Sequence, residues 1–181
     1  MKILAFLANG FEETEFVVPF DFWQRGGCEV VTASINDSLD VVSAHGLPVK
    51  ANTILAKCKM DDYDAIFLPG GGLGVKNLLE SALVEKNICK MNDEDKWIFA
   101  ICAAPKVLSK AGILVDRKCT CFPGCEIDLI CNEFSEDRVV IDGNIITSRG
   151  AGTAEEFALT CLASMTNEET AGKIRAQVVA R

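Results

Sequence analysis

Five short runs in this chain are apolar at nearly every position instead of every second one: KILAFLA (2–8), CEVVTAS (28–34), DAIFLP (64–69), WIFAIC (97–102) and NIITS (144–148). A strand of that kind needs cover on both faces, which a parallel sheet flanked by helices provides. Helical patterns fill the intervals: Glu13 to Arg25, NLLESALVEKNICKM from Asn77, APKVLSKAG from Ala104, then TAEEFALTCLASM and NEETAGKIRAQVVA. The alternation predicts an α/β sandwich with a mostly parallel, doubly wound central sheet, helices on both faces and right-handed crossovers. Two segments, VVSAHGLPVKA and RVVIDGNIITS, instead read as small antiparallel hairpins, the second turning at Asp142 and Gly143. With no internal repeat, low-complexity tract or flexible linker, residues 1–181 are expected to form a single domain.

Charge narrows the function classes. Eighteen Lys and Arg stand against 26 Asp and Glu, a net charge of −8, which opposes binding to nucleic acid or to an anionic membrane. No apolar run is long enough to span a bilayer. Although MKILAFLANG faintly resembles an export signal, it is short and runs into the acidic FEETEF, so it reads as a first strand. A cytoplasmic, reducing location is then expected, in which the nine cysteines are thiols. Small molecules or other proteins are the expected partners.

In an open parallel sheet, ligands bind beyond the carboxyl ends of the strands. Three unusual segments fall there: NGFEETEF after the first strand, PGGGLG (69–74) after the third, and Cys102 at the end of the fourth. A thiol between a strand and a helix N-terminus faces unpaired amides, which favour the thiolate, so Cys102 is either a nucleophile or redox-active thiol or a packing residue. PGGGLG lacks the endings of a phosphate-binding loop. Its Gly70 and Gly71 could instead aim backbone N–H groups at a developing oxyanion, or simply form a tight turn. Glu12, Glu13 and Glu15 lie around the first helix start, and any one that met Cys102 would share a proton with it. The chemistry alone does not choose among the three.

His45, the only histidine, sits in the turn SAHGLP and precedes Cys102, which excludes a Cys-His triad with its histidine after the nucleophile. Cys119, Cys121, Cys125 and Cys131 cluster in CTCFPGCEIDLIC without the paired knuckles of a zinc site, and no metal is expected.

Taken together, GFEETEF, LPGGGLG, AICAAP and TSRGAGTAEEFAL resemble, in collinear order, the ThiJ/PfpI superfamily, in the branch of the parkinsonism-associated deglycase and its YajL-type bacterial relatives. The resemblance implies a flavodoxin-like fold, a homodimer and a nucleophile elbow carrying Cys102, with Glu15 as its hydrogen-bonding glutamate. It places the backbones of Gly70, Gly71 and Ala103 in an oxyanion-type site, and Phe122, Arg25, Gly150 and Ala151 around the pocket. Phe122 stands where several relatives carry a histidine, which argues against peptidase or amidotransferase activity. The implied function is conversion of 2-oxoaldehydes to 2-hydroxy acids, or protein deglycation, with no cofactor. The alternative is a redox-sensing or chaperone protein whose cysteine is oxidised to sulfinic acid. A role in thiazole monophosphate synthesis survives as a family name alone, since nothing in the sequence resembles a phosphate site.

Overall fold

The structure, a computed structural model, describes residues 1–180. In chain order its elements are β1 (Lys2–Leu7), α1 (Glu13–Arg25), β2 (Glu29–Ser34), β3 (Asp40–Val42), β4 (Pro48–Lys50), β5 (Thr53–Ile54), β6 (Ala65–Leu68), α2 (Gly72–Glu80) and α3 (Ala82–Asp93). They continue with β7 (Trp97–Ile101), α4 (Pro105–Lys110), β8 (Lys118–Cys119), β9 (Glu133–Phe134), β10 (Val139–Asp142), β11 (Ile145–Ser148), α5 (Ala154–Met165) and α6 (Glu168–Val178). Seven strands form the central sheet in the order β10-β11-β7-β6-β1-β2-β5, parallel except for β10.

The uninterrupted apolar runs are explained by this arrangement, because alternate residues of one strand feed opposite cores. Ile3, Ala5 and Leu7 of β1 pack with α1, α5 and α6, whereas Leu4 and Phe6 pack with α2, α3 and α4. Within the first layer Trp23 is sealed edge-on against Phe67 at 5.0 Å, and its indole N–H donates to the Ala158 carbonyl at 2.9 Å. Burial of one such side chain is worth about 1.5–3 kcal/mol, and here it clamps α1 to α5.

Both expected hairpins form. The one turning at Asp142 and Gly143 is β10–β11, on the edge of the main sheet. The other, β3–β4, stands apart, and it braces the exit of β1: Gly10 N–H donates to Val42 O at 2.7 Å and Ala44 N–H to Phe11 O at 2.7 Å. One expectation is corrected. The helix read from Asn77 is two helices, the first starting at Gly72 and both meeting at Ser81, whose extended backbone (φ −92°, ψ 106°) ends α2 while its hydroxyl caps α3. A serine oxygen competing for local backbone amides is a common cause of such a break.

Candidate active site

From β1 the chain winds outward through β2 to β5 and then returns to place β6 on the other side of β1, a reversal of strand order that creates a crevice at the carboxyl ends. Three loops meet there: residues 8–12 after β1, 69–71 after β6 and the elbow after β7. The loops are laced together, since Glu12 N–H donates to Gly70 O at 3.0 Å and Gly74 N–H to Gly10 O at 3.1 Å.

Cys102 occupies the elbow with φ +65°, a left-handed conformation that a side chain bearing Cβ adopts only under constraint. The constraint is visible. Its N–H donates to Ser148 O at 2.9 Å, and its carbonyl accepts from Phe122 N–H at 2.8 Å. The sulfur, half-buried, is hydrogen-bonded to Glu15 and faces the amides of Gly71 and Ala103.

Glu15 is 2% exposed. It lies two positions after Glu13 on α1, about 200° around the helix, so the two carboxylates diverge. Glu13 reaches the exposed His45 ring at 2.9 Å, Glu12 caps α1 by accepting from Glu15 N–H at 2.7 Å, and Glu15 turns inward to the thiol. Gly70 N–H donates to Glu15 Oε2 at 3.0 Å, and Ala151 N–H also donates to this carboxyl. Ala151 is delivered by a knot of hydrogen bonds in the SRGAGT segment: Ser148 and Thr153 hydroxyls meet at 2.6 Å, and Gly150 N–H donates to Thr153 Oγ1 at 3.1 Å. A Cβ on Gly150 would lie 3.3 Å from the Phe122 ring and 3.7 Å from Glu15 Oε1.

Burial lifts the Glu15 carboxyl from its ordinary 4.5 to about 7, against the pull of its hydrogen bonds from Cys102, Gly70 and Ala151. Burial also pushes the Cys102 thiol up, reinforced by the Glu15 charge and hydrogen bond, while Gly71 and Ala103 N–H groups pull it down. The expectation of a thiolate held by amide dipoles at a helix start is therefore corrected. Helix α4 has only six residues, and withdrawal from water outweighs the amides. Ionisation of the sulfur is tied to the proton on Glu15, so the two groups titrate as a pair.

Cys102, Glu15, Gly71, Ala103, Phe122, Gly150 and Ala151 thus converge. Two expected members do not serve as read. The Gly70 amide is committed to Glu15 and is not available to an oxyanion, leaving Gly71 and Ala103 as donors. Arg25 lies ten residues beyond Glu15, about 15 Å along α1, where it pairs with Asp21 at 2.7 Å. Ser148 and Thr153 join the site as the residues that hold Gly150, and no local pattern marks them, because a glycine at the cap has no side-chain oxygen to form a capping box. A groove of about 750 Å³ beside the site is lined by Thr14, Val18, Arg138, Ala151 and Arg175 among others, but not by Cys102 or Glu15.

Among the described residues, one group offers three ligand atoms within 4.8 Å of one another: Glu12, Glu13 and His45. One of its members already caps a helix and another is solvated. All nine cysteines are free thiols. No described helix is long and apolar enough to cross a membrane.

Comparison with known proteins agrees with the fold. A family model described as DJ-1/PfpI matches residues 1–164. The Drosophila melanogaster protein dj-1beta is 38% identical over 180 residues, covering 98% of this chain and 94% of that protein. A deglycase of Pyrococcus horikoshii is 35% identical over 151 residues, covering 82% of this chain and 90% of that protein. Among solved structures, oxidised Toxoplasma gondii DJ-1 superimposes with a TM-score of 0.94 at 35% identity, covering 98% of this chain and 97% of that one.

Proposed function

The chain belongs to the DJ-1/PfpI family, and from that premise we propose that it is an enzyme acting on reactive carbonyls through Cys102 and Glu15, without a cofactor. The observation that carries this reading is a carboxyl 2% exposed, titrating at about 7 and hydrogen-bonded to a thiol on a strained elbow. A general acid-base group is most effective when it titrates near the working pH.

The Cys102 sulfur adds to the aldehyde carbon of a 2-oxoaldehyde such as methylglyoxal, and the new alkoxide takes a proton to give a hemithioacetal. Glu15 removes the proton from that carbon and returns it to the neighbouring one, converting the adduct to a thioester of a 2-hydroxy acid. Water then cleaves the thioester and regenerates the thiol. Methylglyoxal plus water gives lactate, with no external electron donor or acceptor. The Gly71 and Ala103 amides beside the sulfur also lie next to the developing alkoxide. The deglycase activity named for the Pyrococcus horikoshii relative extends the substrate class to sugar-derived adducts on proteins. A homodimer belongs to the same proposal, and its mass in solution tests it.

Purified protein is expected to form lactate from methylglyoxal, and both Cys102→Ala and Glu15→Gln are expected to abolish it. Turnover unaffected by both substitutions ends the idea.

A second reading is favoured by the oxidised state of the Toxoplasma gondii relative. In it Cys102 is a peroxide sensor, and protonated Glu15 stabilises the sulfinate by donating a hydrogen bond. Mass spectrometry after graded peroxide tests it, and oxidation spread evenly over the nine cysteines counts against it.

A further inference from the structure

CTCFPGCEIDLIC carries four cysteines that the proposed chemistry does not use. The fold brings two of them together across eleven intervening residues. Strands β8 and β9 pair in parallel, Cys119 opposite Phe134, so the chain before β9 is led back over β8. Cys131 is then pinned on both sides: Ile130 N–H donates to Ser109 Oγ at 2.7 Å, and Asn132 N–H to Arg117 O at 3.0 Å. Between those anchors Cys131 packs against the core cluster that holds Cys119, and the two thiols lie near enough for a charge on one to act on the other. Cys119 is fully buried, and Cys131 is half-buried beside Ile130, which is 67% exposed. The competing thiol of Cys121 is turned aside, its S–H directed at the Phe122 carbonyl at 3.4 Å.

We propose that Cys119 and Cys131 form a second redox site, a dithiol that hydrogen peroxide converts to a disulfide, independent of Cys102. The accessible sulfur of Cys131, as thiolate, attacks a peroxide oxygen; the O–O bond breaks, and the displaced hydroxide takes a proton and leaves as water. The resulting sulfenic acid is then attacked by the Cys119 sulfur, its S–O bond breaks, and hydroxide leaves with the Cys119 proton as a second water. Two thiols lose one electron each, and one peroxide is reduced by two. Neighbouring sulfurs need only a short approach to reach the roughly 2.05 Å of a disulfide, and rotation of the half-buried Cys131 side chain on its anchored backbone supplies it. The closed ring contains Phe122, whose amide holds the carbonyl of Cys102, so the cross-link ties the wall of the crevice to the body of the fold.

The test is made on the full chain, wild type and Cys102→Ser, with graded hydrogen peroxide followed by maleimide blocking and unreduced peptide mapping. Cleavage after Glu126 separates Cys131 from the other three cysteines of the cluster, and fragmentation then identifies its partner. The expected product, in both proteins, is a Cys119–Cys131 cross-linked pair two hydrogens lighter than the sum of its peptides and released by dithiothreitol. It persists in Cys125→Ser and is lost in Cys131→Ser. Full maleimide labelling of both thiols at peroxide doses that oxidise Cys102 in the wild type overturns the proposal. So does a main product joining Cys131 to Cys121 or Cys125. Because Cys102→Ser carries the same expectation, failure of the carbonyl chemistry leaves this result untouched.

Discussion

At the elbow after β7 a thiol faces a carboxyl and two amides; beneath the loop after β8 a thiol faces another thiol. The two regions meet at the hydrogen bond from Phe122 N–H to Cys102 O. In both, burial lifts a thiol, Cys102 in one and Cys119 in the other. The difference lies in what stands next to the sulfur. A proton-exchanging carboxyl fits Cys102 for chemistry on a foreign carbonyl, whereas a second thiol fits Cys119 for bond formation within the chain.

The sharpest way to break the contrast is to remove one sulfur from each region. Cys102→Ala should reduce methylglyoxal turnover by about a thousandfold or more, as losing a nucleophile does elsewhere, and Cys131→Ser should leave it within about twofold. Comparable losses in steady-state assays would merge the two regions into one.

The next effect concerns the buried acid. The unfolded chain ionises Glu15 near its ordinary 4.5 and the folded chain near 7, so the stability contributed by the neutral acid is complete below the first value and lost as pH rises through the second. That displacement corresponds to about 3 kcal/mol. Glu15→Gln, neutral throughout, should flatten the decline between about pH 5 and about pH 8 in urea unfolding. An identical decline in wild type and variant would place the carboxyl in water. Alkylation of Cys102 by iodoacetamide should accelerate through about pH 7 in the wild type and lose that inflection in the variant.

A smaller effect is expected from crowding. A Cβ at Gly70 would strike Glu15 Oε2 and lie 2.6 Å from Cys102 Cβ, whereas one at Gly72 meets nothing within 4 Å. Gly70→Ala should therefore cost about 2 kcal/mol, and Gly72→Ala nothing, by thermal melts. Smallest of all, Cys102→Gly should be about 1 kcal/mol more stable than Cys102→Ala, because glycine accepts the left-handed backbone without strain.

The layered sheet was legible because its strands are apolar on both faces, and alternate residues of β1 do enter two cores. The break at Ser81 was not, since the helical pattern runs on through it and one serine hydroxyl decides the outcome. Within the site, Cys102 was legible from its seam between strand and helix. The choice of Glu15 over its neighbours came from resemblance, although the two-residue step from Glu13 already places the pair on opposite sides of α1. What no local pattern carries is the partner of a backbone amide 55 residues away: Gly70 N–H finds Glu15 through the lacing of two loops. The meeting of Cys119 with Cys131 is of the same kind, produced by how the chain doubles back to form β9.

The bonds that hold position 102 are made by main-chain atoms, its amide to Ser148 and its carbonyl from Phe122. The address is thus separate from the occupant: a serine installed there would inherit the same bent backbone and the same neighbouring acid. Rewriting the chemistry of this crevice calls for a new side chain on an existing perch, with no new scaffold to evolve.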